Sequence, residues 1–194
     1  MFSKTSFTVL ERDVRSLMSE RRFLHSLGTA QTCVSLCERY HENVEVDDCY
    51  RCGLLHDIAR EWPDAKLQEY AREHQLSLES EEKLIPMLLH GPVAADMLAY
   101  KGYDSALCTA VRYHTLGSPY MGRLGLILFI ADFIEPGRTH LSGGQRESLL
   151  EKRSLEEVCC GLLSLQDSYF ESKGKRPAFS SLSLRKFIEE GGRL

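Results

Sequence analysis

The feature that most constrains how this chain can fold is a set of six ionisable residues planted in apolar sequence. His56 and Asp57 sit together in Gly-Leu-Leu-His-Asp-Ile-Ala-Arg. His25 follows Arg-Phe-Leu, His90 follows Pro-Met-Leu-Leu, His114 follows Ala-Val-Arg-Tyr, and Asp132 follows Ile-Leu-Phe-Ile-Ala. Taking an imidazole or carboxylate out of water costs on the order of several kcal/mol unless it is paired, hydrogen-bonded or held by a metal. A fold that buried these six separately would carry that cost six times. A fold that gathers them gives them one explanation, a shared metal site. Four imidazoles and two carboxylates could serve two divalent ions, with a carboxylate bridging them.

The periodicity between these residues is helical throughout. Val9, Leu10, Val14, Leu17 and Met18 predict a helix over 8–20. Ser19 is a candidate N-cap for a helix carrying His25 and running to about Tyr40. Asp47 is a candidate N-cap for one ending near Arg60. Pro63 suits the first turn of a charged, amphipathic helix over 64–74. Ser80 to Lys83 begins another, and Pro86 and Pro92 rule out a long uninterrupted helix there. Pro92 opens a helix to Tyr100, closed by Gly102, and Asp104 caps one that ends at the turn His114-Thr115-Leu116-Gly117. Met121 to Phe133 is a central apolar helix stopped by Pro136-Gly137. Residues 143–169 read as one helix with an interruption at Gly161, and 183–190 as a short terminal one. No strand pattern extends beyond a few residues. The expectation is an all-α helical bundle forming one domain over 1–194, with a core of about 20–140 and helices of 143–194 packed on it.

With 194 residues, 43% hydrophobic and 27% charged, the chain has the makeup of a globular domain able to bury a good core. A formal net charge of −4 argues against general nucleic-acid binding, though not against a small anionic ligand in a local cationic pocket. The amino-terminal stretch has no signal-peptide core, and the run from Leu124 to Ile134 is too short to span a bilayer. A cytoplasmic protein with no membrane or nucleic-acid partner is expected. Seven cysteines without a secretory signal are expected to stay reduced. Cys49 and Cys52 form a Cys-x-x-Cys with no second pair at zinc-ribbon spacing, so small buried residues on a helix explain them better than zinc. Apolar faces on the first helix or the tail leave a homodimer open.

On a helix, His56 and Asp57 point about 100° apart and can straddle a cluster beside it. The proposed division puts His25, His56 and Asp132 on one metal and His90 and His114 on the other, with Asp57 and a water between them. Taken singly, each histidine reads as a hydrogen-bonded core or helix-end residue. Asp132 resists that reading because it interrupts the most apolar stretch of the chain. Two adjacent metals suit hydrolysis of a phosphoester or phosphoanhydride. Such a substrate wants fixed cations and donors. Arg60 and Arg138 are the candidates for phosphate contact, with Asp57 and Arg60 as the catalytic pair. Thr115 and the backbone at Gly117 are candidate phosphate donors, and Arg22, one turn before His25, is a weaker one. The plainer alternatives are solvated arginines and an ordinary helix-ending turn. His41 and His74 lie in polar surroundings, His140 reads as a loop residue, and Tyr113, Tyr120 and Phe133 read as core before they read as base-stacking rings.

Five stretches together resemble the HD-domain metal-dependent phosphohydrolases, and within them the YqeK branch of bacterial symmetrical dinucleoside-tetraphosphatases. They are Arg22-Phe-Leu-His25-Ser-Leu-Gly28, Gly53-Leu-Leu-His56-Asp57-Ile-Ala-Arg60, Leu89-His90-Gly-Pro92-Val-Ala, His114-Thr115-Leu-Gly117 with Met121, and Ala131-Asp132-Phe-Ile-Glu135-Pro136-Gly-Arg138. The resemblance implies an all-α domain with a dimetal centre of the iron type and cleavage of diadenosine tetraphosphate to two ADP. From the residues alone, manganese, zinc, cobalt or nickel would serve equally. Two departures stand out. Arg60 replaces the usual lysine after His-Asp-x-Ala, and Gly125 and Leu126 replace an acidic residue and a lysine early in the Asp132 helix. The competing expectations are an HD phosphohydrolase of another nucleotide, such as a nucleoside monophosphate, and a non-catalytic nucleotide-sensing helical module.

Overall fold

A computed structural model describes residues 6–194, so the first five residues of the amino-terminal stretch read above lie outside the described residues. All regular structure among the described residues is helical: α1 (Phe7–Arg15), α2 (Glu20–Arg39), α3 (Val46–Leu55), α4 (Asp64–Glu73), α5 (Ser80–Leu84), α6 (His90–Tyr100), α7 (Ser105–Tyr113), α8 (Gly122–Ile134), α9 (Gly143–Leu150), α10 (Leu155–Ser172) and α11 (Phe179–Glu189), with a 3-10 turn over Pro86–Leu89 leading into α6. No helix among them is long and apolar enough to cross a membrane.

Caps set most of the boundaries. Ser19 accepts from the Arg22 amide to start α2, and Asp104 accepts from Ala106 to start α7. Glu79 and Glu82 form a reciprocal capping box on α5, and Ser142 and Gln145 form one on α9. Helix α8 has no polar face, and every side chain from Leu124 to Ala131 is buried. A helix that is apolar all round belongs at the centre of a bundle. Accordingly α2, α3, α7 and α10 all pack on it.

The α2–α3 pair sits unusually close because of one glycine. A Cβ on Gly53 would lie 2.5 Å from the Ala30 Cα, so the two backbones can meet only where that atom is missing. The contact brings the end of α3, with His56 and Asp57, against the middle of α2 below His25.

Several boundaries differ from expectation. Asp47 is not an N-cap but lies in the first turn of α3, which Glu45 precedes as N-cap, and the terminal helix begins at Phe179 instead of 183. Helix α3 stops at Leu55 instead of continuing to Arg60. Ile58 bonds back to Leu55 and Arg60 to Asp57, three residues apart, so His56 and Asp57 lie on a tightening turn at the helix end. Helix α6 starts at His90 and not at Pro92, and α1 ends at Arg15, short of Glu20. The stretch over 143–169 is two helices. It breaks at 151–154, where Ser154 accepts from the Glu157 amide and begins α10, and Gly161 is an interior residue of α10 packed on Leu149 and Lys152.

The second layer is tied to the first by charge. Arg123, at the start of α8, donates to Glu42 after α2 and to Glu156 at the start of α10. Helix α11 closes back over the site's loops. Its first amide, Phe179 N, donates to Glu81 at 2.7 Å, and Ser181 Oγ donates to the Leu116 carbonyl at 2.6 Å.

Candidate metal centre

Five elements deliver the six residues to one place. His25 comes from the second turn of α2, His56 and Asp57 from the end of α3, His90 from the start of α6, His114 from the end of α7 and Asp132 from the last turns of α8. Three of the histidines sit at helix ends for the same reason. His56 Nδ1 donates to the Gly53 carbonyl, His90 Nδ1 to Met87 and His114 Nδ1 to Val111, each at 2.7 Å and each three residues back. A carbonyl can only accept, so each Nδ1 carries the proton and each Nε2 offers a lone pair. His25 is tied differently: its Nδ1 donates to Glu135 Oε1 at 3.1 Å. All four rings therefore turn Nε2 inward.

What those lone pairs meet shows that the donor set suits a cation. His90 Nε2 and His114 Nε2 lie 3.1 Å apart. Of the pair only Thr115 Oγ1, 3.2 and 3.1 Å from the two nitrogens, has a proton to give. His56 Nε2 is fully buried and has no hydrogen-bond partner among the described residues. Converging buried lone pairs left without donors are destabilising in a dry site. A divalent ion held by imidazoles whose other nitrogen is anchored by a carbonyl or carboxylate removes that cost. His25, His56 and Asp132 form one group with ligand atoms close enough to hold an ion, and His56, Asp57 and His114 form another.

Asp57 divides its two oxygens between the ends of the cluster. Oδ2 lies 3.3 Å from His56 Nε2 and 3.6 Å from His25 Nε2, while Oδ1 lies 3.4 Å from His90 Nε2 and 3.7 Å from His114 Nε2. Asp132 Oδ1 is 3.0 Å from His25 Nε2 and 3.7 Å from His56 Nε2. Burial pushes the Asp57 carboxyl up, but the surrounding groups, His56 first and then His114, more than offset this and hold it well below the usual carboxylate range. Burial likewise opposes ionisation of Asp132, and His25, His56 and Arg138 hold it low. His90 is pushed down to about 3, first by burial, with Asp57 opposing and His114 adding to the effect. Around neutral pH the two carboxylates are thus charged and His90 is neutral.

Arginines border the carboxylates. Arg22 Nη1 donates to Asp57 Oδ2 at 2.7 Å. Arg138 donates to Asp132 through its side chain and also to the Asp132 carbonyl. Both line an open cleft of about 420 Å³ beside His25, together with Arg21, Thr139 and His140.

The six expected ligands are all brought together. Of the other expected residues, Arg138 and Thr115 border the cluster. Arg60 lies at its His90 end with Nη2 3.3 Å from Met87 Sδ, on the turn that follows α3. Gly117 does not serve: its amide is spent on the Tyr113 carbonyl at 2.8 Å, and its α-carbon faces Leu184 and Phe129 at positive φ. His140, read as a loop residue, borders the cleft, and Tyr120, read as core, is exposed. Gly125 and Leu126 do not reach the cleft. A Cβ on Gly125 would press on Met121 and Ala110, and Leu126 is fully buried, so both departures are core packing.

Sequence reasoning missed Glu135. Its carboxylate holds His25, accepts from the Gly137 amide at 2.6 Å, and occupies space that a Cβ on Gly28 or Gly137 would invade. The signal was there in Glu-Pro-Gly, flanked by glycine in both chain and space, but it reads as a helix end.

Comparison with known proteins gives a consistent picture. Residues 22–137 match the family model described as the HD domain. A Staphylococcus aureus protein named symmetrical bis(5'-nucleosyl)-tetraphosphatase is 33% identical over 136 residues, 66% of this chain and 66% of that protein. A Bacillus subtilis protein of the same name is 28% identical over 127 residues, 64% of this chain and 67% of that one. The chain thus aligns with about two-thirds of these relatives' length. A crystal structure from Clostridium acetobutylicum, described as a predicted HD superfamily hydrolase involved in NAD metabolism, superposes with a TM-score of 0.83 at 28% identity, covering 96% of this chain and 98% of that one.

Proposed function

We propose, from the premise that this chain belongs to the HD-domain family, that it hydrolyses diadenosine tetraphosphate symmetrically to two ADP. HD domains are metal-dependent, and the histidine and aspartate groups here can bind metal. The observation that carries the reading is the split of Asp57, with one oxygen toward His25 and His56 and the other toward His90 and His114. That split supports two divalent ions, His25, His56 and Asp132 holding one, His90 and His114 the other, and Asp57 shared. Bound there, such ions would neutralise phosphate charge and lower the pKa of water. Iron is the assignment implied by resemblance, and manganese, zinc, cobalt or nickel fit the same donors.

The chain's own residues do the rest. Arg22, Arg138 and Arg21 offer guanidinium forks to a polyphosphate entering the cleft, a geometry matched to phosphate oxygens. Thr115 Oγ1 has a proton for a phosphate oxygen at the His90–His114 end, and Arg60 adds a cation there. In symmetrical cleavage, water adds to a phosphorus beside the central bridging oxygen, that P–O bond breaks, and ADP leaves with the bridging oxygen and the proton. We also read 1–194 as one domain, supported by the packing of α10 on α8, and as a cytoplasmic protein.

Anaerobic turnover of diadenosine tetraphosphate with added iron(II), products separated by chromatography, tests this. ADP alone, abolished by a chelator, is expected. AMP plus ATP would place the cut elsewhere, and no turnover by metal-loaded protein would turn attention to another nucleotide. Asp57→Ala is expected to abolish hydrolysis while circular dichroism stays helical; near-full activity would sink the shared-ligand assignment.

A further inference from the structure

A substrate cut at its centre has a nucleoside on each side of the reacting phosphorus, so the site needs an exit in two directions. The arginine cleft serves the His25 end. At the opposite end the chain presents a different surface. Met87 holds the His90 ring through its carbonyl at 2.7 Å. Met87 is 45% exposed, and its sulfur touches the Arg60 guanidinium at 3.3 Å. Ile85, two residues earlier, is 46% exposed. Arg60 itself follows Asp57 by one turn, with its amide on the Asp57 carbonyl at 2.9 Å. Large apolar groups left in water beside a buried polar centre mark a surface that is covered in use.

We infer that Arg60, Met87 and Ile85 form the second nucleoside half-site, taking the purine of the departing ADP. The inference rests on the hydrolase reading above and deepens it. Two observations favour a base over a protein segment. The surface is continuous with the candidate metal centre, because the residue that anchors His90 also forms the shelf. A guanidinium lies on it, and guanidinium planes and thioethers both pack well on aromatic faces. A purine there leaves its phosphates within reach of Arg60 and Thr115, so the shelf helps centre the tetraphosphate over Asp57. The half-site therefore selects which anhydride is cut as well as which substrate binds.

Two measurements test it. Calorimetric titration of ADP into metal-loaded protein should give two ADP per chain, and Met87→Ser or Ile85→Ser should leave one. In turnover, Met87→Ser should raise KM for diadenosine tetraphosphate about tenfold, the scale of a lost apolar contact in a specificity pocket. The rise in KM for adenosine 5'-tetraphosphate, which has a single nucleoside, should be much smaller. A single ADP in the unaltered protein, or equal effects of Met87→Ser on both substrates, would overturn the half-site. So would loss of a dimer in Met87→Ser with ADP stoichiometry unchanged, which would assign the shelf to a second copy of the chain. Unaltered protein that binds two ADP but hydrolyses no diadenosine tetraphosphate would overturn the hydrolase reading and leave the half-site standing.

Discussion

His25 is held from behind by a carboxylate, whereas His56, His90 and His114 are held by carbonyls of their own helix ends. The difference matters because a carboxylate partner makes an imidazole a stronger donor, and because it can be altered without touching the backbone. Glu135→Gln keeps the size of the side chain and removes the charge. It is expected to weaken metal binding about 10–100-fold, measured by metal titration of the stripped protein, with little change in helix content. The gathering of the six candidate ligands was legible in the sequence because a buried imidazole or carboxylate is expensive wherever the chain puts it, and five apolar contexts advertised the cost. Glu135 was not, because an acidic residue before Pro-Gly has an ordinary use at the end of a helix. Arg22 was only weakly legible, since nothing in Ser-Glu-Arg-Arg-Phe tells which arginine turns in toward Asp57.

Between elements, two contacts decide how the helices hold the site. The first is Gly53. Gly53→Ala puts a methyl group against the α2 backbone, and overpacking of this kind costs about 1–3 kcal/mol. A drop in melting temperature together with weaker metal binding is expected, because the shift moves His56 and Asp57 relative to His25. The second is the Glu42–Arg123–Glu156 cluster. Burial raises the Glu156 carboxyl, and its hydrogen bond from Arg123 more than offsets this, so its pKa in the folded protein lies below the ordinary 4.5. A depressed carboxylate stabilises the fold above its unfolded value and loses that contribution as pH falls through its folded value. Glu156→Gln should therefore melt lower than the unaltered protein at pH 7, with the gap closing as the pH drops below 4.5; a constant gap would refute the linkage. Elements were legible where a cap or proline marked them, as at Ser19, Pro63 and Asp104. The break before α10 was overlooked because Lys-Arg-Ser contains neither glycine nor proline. Its signal was Ser154 with Glu157 three residues on, the pattern of a capping box. The end of α3 was hidden because 55–60 keeps apolar spacing while the backbone tightens to place two candidate ligands side by side.

For the whole molecule, the site is assembled from both ends of the chain. The family model ends at residue 137, yet α11 is tied to α5, ahead of His90, and to the turn after His114. Phe179 N is on Glu81, Ser181 Oγ is on Leu116, and Leu184 is fully buried against Gly117. Removal of residues 177–194 is expected to lower thermal stability and metal content together, read by calorimetry and elemental analysis, although no proposed ligand is lost. Retention of full metal content would show that the brace is dispensable. The brace has a consequence for where the site can be disturbed. His90 and His114 lie far from α11 in sequence, yet the contacts of Phe179, Ser181 and Leu184 set the segments on either side of them. A substitution in α11 that touches neither the cleft nor a candidate ligand would therefore be felt at one end of the candidate centre and spare the other, a lesion at a distance that the composition of the site would not reveal.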